Sequence, residues 1–388
     1  MTLVIIGANP TVARAAETLP GDLVHVQLPG APALDPDVTD KRRVFTTDFR
    51  EPAAFRAFTD EVLAPLRPAA VVSLTEPGLE PAAAAAERLG VTGVAPAVVR
   101  ATRDKLEMRR VLEREAPHLN PAFAPGDDPE AVARLFARHE RVVAKPVDGF
   151  GSMAVRLLDT AAGLPAELAT RATLLEQYAE GREFSVEALS SDGRHTVVGI
   201  AEKGTTGGFV EVSHMMPPPS LDEAGRRLVE RAVGEMLDAL GLGDGPSHTE
   251  VKVDGDKVTV IESHNRLGGD GIADLVRLTT GVDWRRAALG WPVGAGLGAG
   301  EATAPAAATV FLTAPPGRVT HIADRPRLTH GTVTDWDVSV RPGDEVAPLR
   351  SSHDRLGMAV LTAAGPDACV AAVAELTALP IVTTTPAG

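Results

Sequence analysis

Residues 247–266 constrain the fold more than any other part of the chain, because they place two glutamates on one short β-hairpin. Both arms alternate β-branched and polar residues, and the Asp-Gly-Asp sequence between them is typical of a turn. If the loop has an odd length centred on Asp256, Glu250 and Glu262 lie opposite each other with Cβ atoms about 5 Å apart. A two-residue loop instead places the two glutamates on opposite faces.

Two carboxylates at this distance repel each other unless a cation neutralises them. Lys252 shares their face and is the simplest counter-ion. The alternative is a divalent cation that prefers oxygen ligands, such as Mg²⁺. The hairpin alone leaves both interpretations open.

A loop that contains glycine follows a short apolar strand upstream of the hairpin. The strand ends in Lys145 and Pro146, and residues 147–153 form the loop. Backbone N–H groups in such a loop can surround phosphate oxygens, although a lone Gly-x-Gly also occurs in ordinary turns. Residues 174–187 then have the pattern of a strand, a polar turn and a second strand.

Composition limits the classes of protein to consider. A chain of 388 residues predicts two or three domains, and 44% apolar with 4% aromatic residues predicts an α/β core built from Val, Leu and Ala. The net charge of −14 argues against a general nucleic-acid or anionic-membrane surface. A single cysteine, Cys369, excludes an intramolecular disulfide and a multi-thiolate zinc site.

Targeting signals are not predicted. The chain begins with the apolar strand pattern of residues 1–7, without a basic leader, and no run of 18 uncharged apolar residues suggests a membrane span. We therefore expect a cytoplasmic protein.

Three blocks are predicted along the chain. Residues 1–97 alternate strands and helices and predict an open parallel α/β domain, and the turn after the first strand lacks the Gly-x-Gly-x-x-Gly spacing of a nicotinamide site. Residues 98–296 carry the motifs described above. Residues 297–388 predict a small α+β lobe with a helix from about Pro366 to Leu379, and the Ala- and Gly-rich segment 295–308 is the best linker. The fold class is thus α/β with α+β parts.

Four motifs in a fixed order resemble those of the ATP-grasp superfamily. They are Lys145-Pro146 with the glycine loop, Glu176-x-Tyr178-x-x-Gly181-x-Glu183-Phe184-Ser185-Val186-Glu187, Thr249-Glu250-x-Lys252, and Glu262-x-His264-x-Arg266-x-Gly268-Gly269-Asp270. The ordered set carries the resemblance, and no single motif does. Because the third block looks like the C-terminal part of biotin-carboxylase-like members, the resemblance covers essentially the whole chain and implies an ATP-grasp fold.

The resemblance assigns a set of residues to ATP. Two lysines are expected at the phosphates, a short segment at the adenine, an acid at the ribose and a serine in the glycine loop. These residues are Lys105, Lys145, Glu176, Gln177, Tyr178, Glu183 and Ser152. Glu187 alternates onto the face of Glu183 and is expected to support the same site.

The resemblance also assigns the metal. Glu250 and Glu262 are expected to bind Mg²⁺. Most members have Asn two residues after the second glutamate, whereas this chain has His264, on the same strand face as Glu262. Imidazole suits Mn²⁺ better than Mg²⁺, so Mn²⁺ is the alternative metal. Asn265 points to the other face unless a bulge intervenes.

Catalytic and substrate residues follow from the same comparison. Arg266 and Lys145 are expected to stabilise the transferred phosphoryl group. The substrate is expected to contact a histidine before a proline run, a pair of glycines and an acid that could bind an ammonium group. These residues are His214, Gly268, Gly269 and Asp270.

The activity implied is that of a carboxylate–amine ligase resembling L-amino-acid (dipeptide) ligases, including those of natural-product pathways. ATP would activate a small-molecule carboxylate as an acyl phosphate, and an amine would displace phosphate. A formate- or bicarbonate-activating ligase of the purine or biotin type is the first alternative. A non-catalytic nucleotide-binding module is the second, although the phosphate lysines and the metal acids are all present. No nucleic-acid or membrane partner is expected, and a homodimer remains open.

Overall fold

The structure, a computed structural model, describes residues 1–34, 42–149, 151–159, 164–206, 209–298 and 300–386. Over these ranges the chain forms four β-sheets, which are flanked by α-helices. One sheet is parallel and three are antiparallel.

The first sheet is parallel and open, as predicted. It contains β1 (Thr2–Ile6), β2 (Asp22–Gln27), β3 (Arg42–Thr46) and β4 (Ala70–Val72) in the order β3-β2-β1-β4. Its helices are α1 (Pro10–Ala16), α2 (Pro52–Phe58) and α3 (Leu79–Leu89). Alternate side chains of β1 enter different cores: Leu3 and Ile5 share one with α1, and Val4 and Ile6 share the other with α2 and α3.

Two helices lead from this domain into a small antiparallel sheet. The elements are α4 (Pro96–Arg103), α5 (Lys105–Glu115), β5 (Phe123–Pro125), α6 (Pro129–Phe136), β6 (Val142–Pro146), β7 (Arg156–Leu158) and β8 (Thr173–Gln177). The sheet order is β5-β8-β6-β7. The glycine loop connects β6 to β7, so it projects from one end of this sheet.

The next segment supplies long strands and a core helix. Its elements are β9 (Arg182–Ser191), β10 (Arg194–Thr205), β11 (Glu211–Met216), α7 (Glu223–Leu240), β12 (Gly245–Asp254) and β13 (Lys257–His264). The helix α7 buries a stripe of apolar residues, including Val233 and Met236, against this sheet.

The remaining elements complete the large sheet and form a small one. They are α8 (Ile272–Thr280), α9 (Trp284–Gly290), β14 (Ala306–Leu312), β15 (Gly317–Ile322), β16 (Thr332–Val338), β17 (Glu345–Val346), β18 (Gly357–Ala363), α10 (Pro366–Ala378) and β19 (Val382–Thr385). The large antiparallel sheet has the order β13-β12-β9-β10-β11-β14-β18-β16, and the small one has the order β17-β15-β19.

The large sheet crosses the predicted boundary at residues 296/297, and the linker prediction was wrong at its C-terminal end. Residues 306–308 belong to β14, which pairs with both β11 and β18 and is fully buried. Alanines suit this position because α8 and α10 both pack against β14. A run of alanines therefore looked like a flexible connection, although it is a central strand.

Of the helices that the structure describes, none combines the length and the apolar character that a membrane span requires.

Candidate active site

The hairpin β12–β13 places Glu250 directly opposite Glu262, as predicted, but for a different reason. The turn has two residues, Gly255 and Asp256, a length that by itself would put the glutamates on opposite faces. A β-bulge restores the pairing: Val251 pairs with Val260, whereas Glu250 pairs with Glu262, so Ile261 is the extra residue.

The carbonyl of the bulged Ile261 is bound by two cations. Arg109 Nη2 donates to it at 2.6 Å, and Lys145 Nζ donates at 3.3 Å. Arg109 lies on α5 and Lys145 on β6, so the bulge fastens the hairpin to both elements. Neither the bulge nor Arg109 was predicted from the sequence.

Lys105 approaches the second glutamate from the start of α5. The Asp104 side chain caps this helix by accepting from Glu107 N at 3.0 Å, which fixes the first turn. Lys105 Nζ lies 3.1 Å from Glu262 Oε2 and also donates to Gly149 O in the glycine loop. Burial raises the pKa of Glu262, but Lys105 and His264 outweigh this effect and hold it well below its ordinary value.

Lys145 is buried beside Glu176 rather than free at a strand end. Its Nζ lies 2.6 Å from Glu176 Oε2, and Arg109 Nε binds the other oxygen of the same carboxylate. Burial lowers the pKa of Lys145, whereas Arg109 and Lys145 together overcome burial to lower the pKa of Glu176. The Glu176 side chain therefore orients Lys145, and the contact of its segment with adenine stays a prediction.

A pocket between the small sheet and the large sheet contains most of the predicted ATP residues. It is lined by Lys105, Lys145, Gly151, Ser152, Glu176, Gln177, Tyr178, Glu183, Phe209, Glu211, Lys252, Glu250 and Glu262, among others. The Tyr178 ring forms part of its wall, with the Arg141 guanidinium 4.1 Å and Lys252 Nζ 4.6 Å from the ring centroid. Ser152 Oγ donates to Phe209 O at 2.9 Å, so this hydroxyl ties the glycine loop to the opposite wall.

Lys252 is not the counter-ion of the glutamate pair. Its ammonium donates to Ala179 O at 3.1 Å, at the edge of the pocket. Lys203, which was not predicted from the sequence, is the counter-ion of Glu250, with its Nζ 2.9 Å from Glu250 Oε1. Lys203 also lies 2.6 Å from Glu183 and 3.0 Å from Glu211.

Glu187 was expected to support the nucleotide site together with Glu183. It belongs instead to a structural cluster and is not among the described residues that line the first pocket. Its carboxylate accepts from Trp284 Nε1 at 2.6 Å and from Gly268 N at 3.1 Å, and His248 Nδ1 lies 2.5 Å away. A Cβ on Gly268 would lie 2.6 Å from Glu187 Oε1 and 2.7 Å from His248 Nδ1. The absence of a side chain at Gly268 therefore allows close packing against this cluster, and the approach of its backbone to substrate stays a prediction.

His264 lies on the face of Glu262, and its neighbour Asn265 lies on the other. His264 Nε2 is 3.1 Å from Glu262 Oε1, whereas Asn265 Oδ1 accepts from Thr102 Oγ1 at 3.1 Å. The bulge at Ile261 precedes both residues and leaves this alternation intact.

Arg266 is held by the N-terminal domain. Its Nε donates to Glu76, a residue between β4 and α3 that was not predicted from the sequence. Glu76 Oε1 also lies 3.7 Å from His264 Nδ1. Burial raises the pKa of Glu76, but His264 and Arg266 together lower it below its ordinary range. The N-terminal domain thus orients the predicted catalytic arginine.

A second pocket adjoins the first. It is lined by polar side chains from the large sheet and from the turn before β18: Ser185, Glu211, His214, His248, Glu250, Glu262, His264, Arg266, Asp270, Ser352, His353 and Arg355, with Gly151, Gly269 and Ile272. His214, Gly269 and Asp270, three of the predicted substrate residues, therefore line the same pocket. Four residues, Gly151, Glu211, Glu250 and Glu262, line both pockets.

Asp270 is paired with Arg355 and lies near His214, and its role as an ammonium ligand stays a prediction. Arg355 donates two hydrogen bonds to its carboxylate, at 2.8 and 2.7 Å, and His214 Nε2 lies 3.5 Å from Oδ2. The Arg355 guanidinium also lies 3.7 Å above the Phe311 ring. Through this pair the C-terminal lobe, which contains Arg355, forms part of the wall of the second pocket.

Family models match two segments of the chain. Residues 159–274 match the ATP-grasp domain, and residues 310–379 match the L-amino acid ligase C-terminal domain 2. Over these two segments the chain is similar to ATP-grasp proteins and to L-amino acid ligases. Glu176, Glu183, Glu250 and Glu262 all lie within the matched ATP-grasp domain.

Two curated relatives match parts of the chain. The chain is 29% identical over 235 residues to the uncharacterized protein y4rH of Sinorhizobium fredii (strain NBRC 101917 / NGR234), covering 57% of this chain and 48% of that protein. It is 34% identical over 101 residues to the alanine–anticapsin ligase of Bacillus subtilis, covering 26% of this chain and 21% of that protein. The chain thus spans about half or less of the length of these curated relatives.

The fold of the whole chain matches a solved structure. The L-amino acid ligase of Bacillus licheniformis superposes with a TM-score of 0.76 and 24% identity, covering 99% of this chain and 98% of that one. This similarity confirms the predicted ATP-grasp fold.

The hairpin fits Mg²⁺, but not as a complete set of protein ligands. Among the described residues, no three His, Cys, Asp or Glu side chains are arranged to hold a metal ion, so Glu250, Glu262 and His264 are not a three-ligand site. His264 instead contacts Glu262. Mg²⁺ commonly uses one or two carboxylates together with substrate phosphates and water, and the paired glutamates of this ATP-grasp domain supply such a donor set.

Proposed function

We propose that the protein is an ATP-dependent carboxylate–amine ligase that forms an amide bond and releases ADP and phosphate. One observation carries the proposal: Glu250 and Glu262, the expected metal ligands, line both the first pocket, which also contains Lys105 and Lys145, and the polar second pocket. A γ-phosphoryl group bound at the wall that the two pockets share can pass from ATP in one pocket to a carboxylate in the other. Lys105, Lys145 and Arg266 supply the positive charge that such a transfer requires.

The reaction follows from this arrangement. A substrate carboxylate oxygen attacks the γ-phosphorus, the bond to the β,γ-bridging oxygen breaks, and ADP departs. The amine then attacks the acyl carbon, phosphate leaves with the carbon–oxygen bond's electrons, and the amine nitrogen loses a proton. Mg²⁺, held by Glu250 and Glu262, would neutralise phosphate charge.

Small amino acids are the proposed substrates. The second pocket is lined almost entirely by charged or hydrogen-bonding side chains, and Ile272 is the one large aliphatic residue among those that line it within the described ranges. Ser185 Oγ and His214 Nδ1 are buried there without a hydrogen-bond partner, and such groups are commonly satisfied by a ligand. The matched C-terminal domain of L-amino acid ligases supports the same substrate class.

Oxygen-isotope transfer tests the proposal directly. The purified protein is incubated with ATP, Mg²⁺ and pairs of amino acids, one of them labelled with ¹⁸O in its carboxylate. We expect ADP, an amide product and one ¹⁸O atom in the released phosphate, since the acyl-phosphate route moves a carboxylate oxygen to phosphorus. AMP and pyrophosphate as products would contradict the proposal. Turnover only with bicarbonate or formate would support the purine- or biotin-type alternative.

His264 is proposed to tune the metal rather than to bind it. Its Nε2 hydrogen-bonds a Glu262 oxygen, so it orients that carboxylate. The variant His264→Asn is expected to keep Mg²⁺-dependent turnover within about tenfold and to leave the ratio of Mn²⁺- to Mg²⁺-supported turnover unchanged, because the imidazole is not a ligand. A lowered ratio would show that His264 binds the metal. Asn265→Ala serves as the comparison on the opposite strand face. A neutral His264→Ala together with an inactive Asn265→Ala would show that Asn265 is the residue at the metal.

A further inference from the structure

Lys203 is buried at the junction of three carboxylates that come from three different strands. Its side chain is 1% exposed, and its Nζ lies 2.6 Å from Glu183 on β9, 3.0 Å from Glu211 on β11 and 2.9 Å from Glu250 on β12. A lysine ammonium has three N–H donors, so each carboxylate can take one of them. Lys203 itself lies on β10, between β9 and β11.

The three carboxylates differ in the pockets that they line. Glu183 lines the nucleotide pocket, whereas Glu211 and Glu250 line both pockets. Glu211 also accepts from Ser352 Oγ of the C-terminal lobe at 3.0 Å. Lys203 therefore lies behind the wall across which a phosphoryl group would pass, without lining either pocket within the described residues.

Such a cluster is costly to bury unless every member is paired. The free energy lost when ions are removed from water is offset by their mutual attraction only when the geometry is good. Apolar residues of the same size often stabilise a core better. The cluster carries three negative charges and one positive charge, so it attracts further cations while each carboxylate keeps a fixed direction. Orientation of ligand-binding groups explains this arrangement better than stability does.

We propose that Lys203 is a positioning residue that fixes Glu183 toward the nucleotide ribose and Glu250 toward the metal from a single buried ammonium. The inference rests on the proposed function, because it takes Glu183 as a nucleotide ligand. Lys203 touches no reacting atom and acts only through the carboxylates it holds.

Adenosine binding measured by titration calorimetry isolates this effect, since adenosine needs no metal, phosphate or second substrate. The variant Lys203→Met is expected to weaken adenosine binding about tenfold, because Glu183 loses a charged hydrogen bond that fixes it. In the Glu183→Gln background the same substitution should change the affinity by less than about twofold, since the group through which it acts is already altered. Wild-type affinity in Lys203→Met, or equal losses in both backgrounds, would overturn the inference.

Two further variants keep the test decisive. Lys257→Met makes the same substitution at the exposed end of β13 and should leave adenosine affinity unchanged. If Lys203→Met does not fold, Lys203→Arg keeps the charge, but its planar fork cannot reproduce three diverging bonds, so a loss of about threefold or more is expected. Unchanged affinity in folded Lys203→Arg would overturn the inference. Wild-type protein that binds neither adenosine nor ATP would contradict the proposed function as well, which separates the two failures.

Discussion

His248 carries a positive charge within a group of carboxylates. Its Nδ1 lies 2.5 Å from Glu187 Oε1, and its Nε2 lies 3.4 Å from Glu250 Oε1. Burial lowers the pKa of His248, but Glu187 and Glu250 outweigh burial and raise it to about 9 from an ordinary value of 6.5. At neutral pH the imidazolium therefore links the cluster around Glu187 to Glu250 of the β12–β13 hairpin.

This raised pKa predicts a pH-dependent stability. A group whose pKa is higher in the folded state stabilises the fold fully below its unfolded pKa, and the contribution is lost as the pH rises through about 9. Between about pH 6.5 and pH 9.5 the free energy of unfolding should fall by on the order of 2 kcal/mol more in the wild type than in His248→Gln. Urea denaturation at several pH values measures the difference. Parallel pH profiles for the two proteins would show that His248 is neutral in the folded state.

Residues with a motif position were predictable, and residues that support them were not. Lys145, Glu183 and Glu262 stand at fixed places in ordered motifs, and all three line the first pocket. Arg109 and Lys203 lie within helix and strand patterns that look like solvated charges in the sequence. Only the fold reveals that both side chains are buried. Their carboxylate partners, apart from Glu211, are at least 20 residues away along the sequence.

At the scale of elements, the hairpin shows how a correct pairing can be predicted from an incorrect turn. The alternation of residues predicted the strands, and the acidic motifs predicted that the glutamates face each other. The bulge at Ile261 was not visible, because a β-branched residue fits a regular strand as well as a bulge. The Ile261 carbonyl can accept hydrogen bonds from Arg109 and Lys145 only after α5 and β6 pack beside it.

At the scale of the whole molecule, Arg355 joins the C-terminal lobe to the second pocket through Asp270. The variant Arg355→Met should raise the half-saturating concentration of the amino-acid substrates about tenfold or more, because it leaves Asp270 without its bidentate partner. Adenosine affinity should stay within about twofold, since Arg355 lines only the second pocket of the two. Steady-state kinetics and calorimetry provide the two measurements.

Arg318→Met is a suitable control for this prediction. Arg318 is an exposed arginine of the same lobe whose nearest carboxylate, on Glu345, lies 4.0 Å away. Substitution there should change neither quantity, because an exposed pair at that distance contributes little. Equal weakening of adenosine and amino-acid binding in Arg355→Met would indicate a general loss of structure.

The position of β14 also bears on how such proteins can be recombined. Since β14 is hydrogen-bonded between β11 and β18, an exchange of the C-terminal segment between two relatives would replace an internal strand of a continuous sheet. Chimeras joined near residue 297 should therefore assemble only when the incoming strand reproduces the small side chains of residues 306–308. A junction chosen at a loop that looks permissive in an alignment would divide the molecule through its middle.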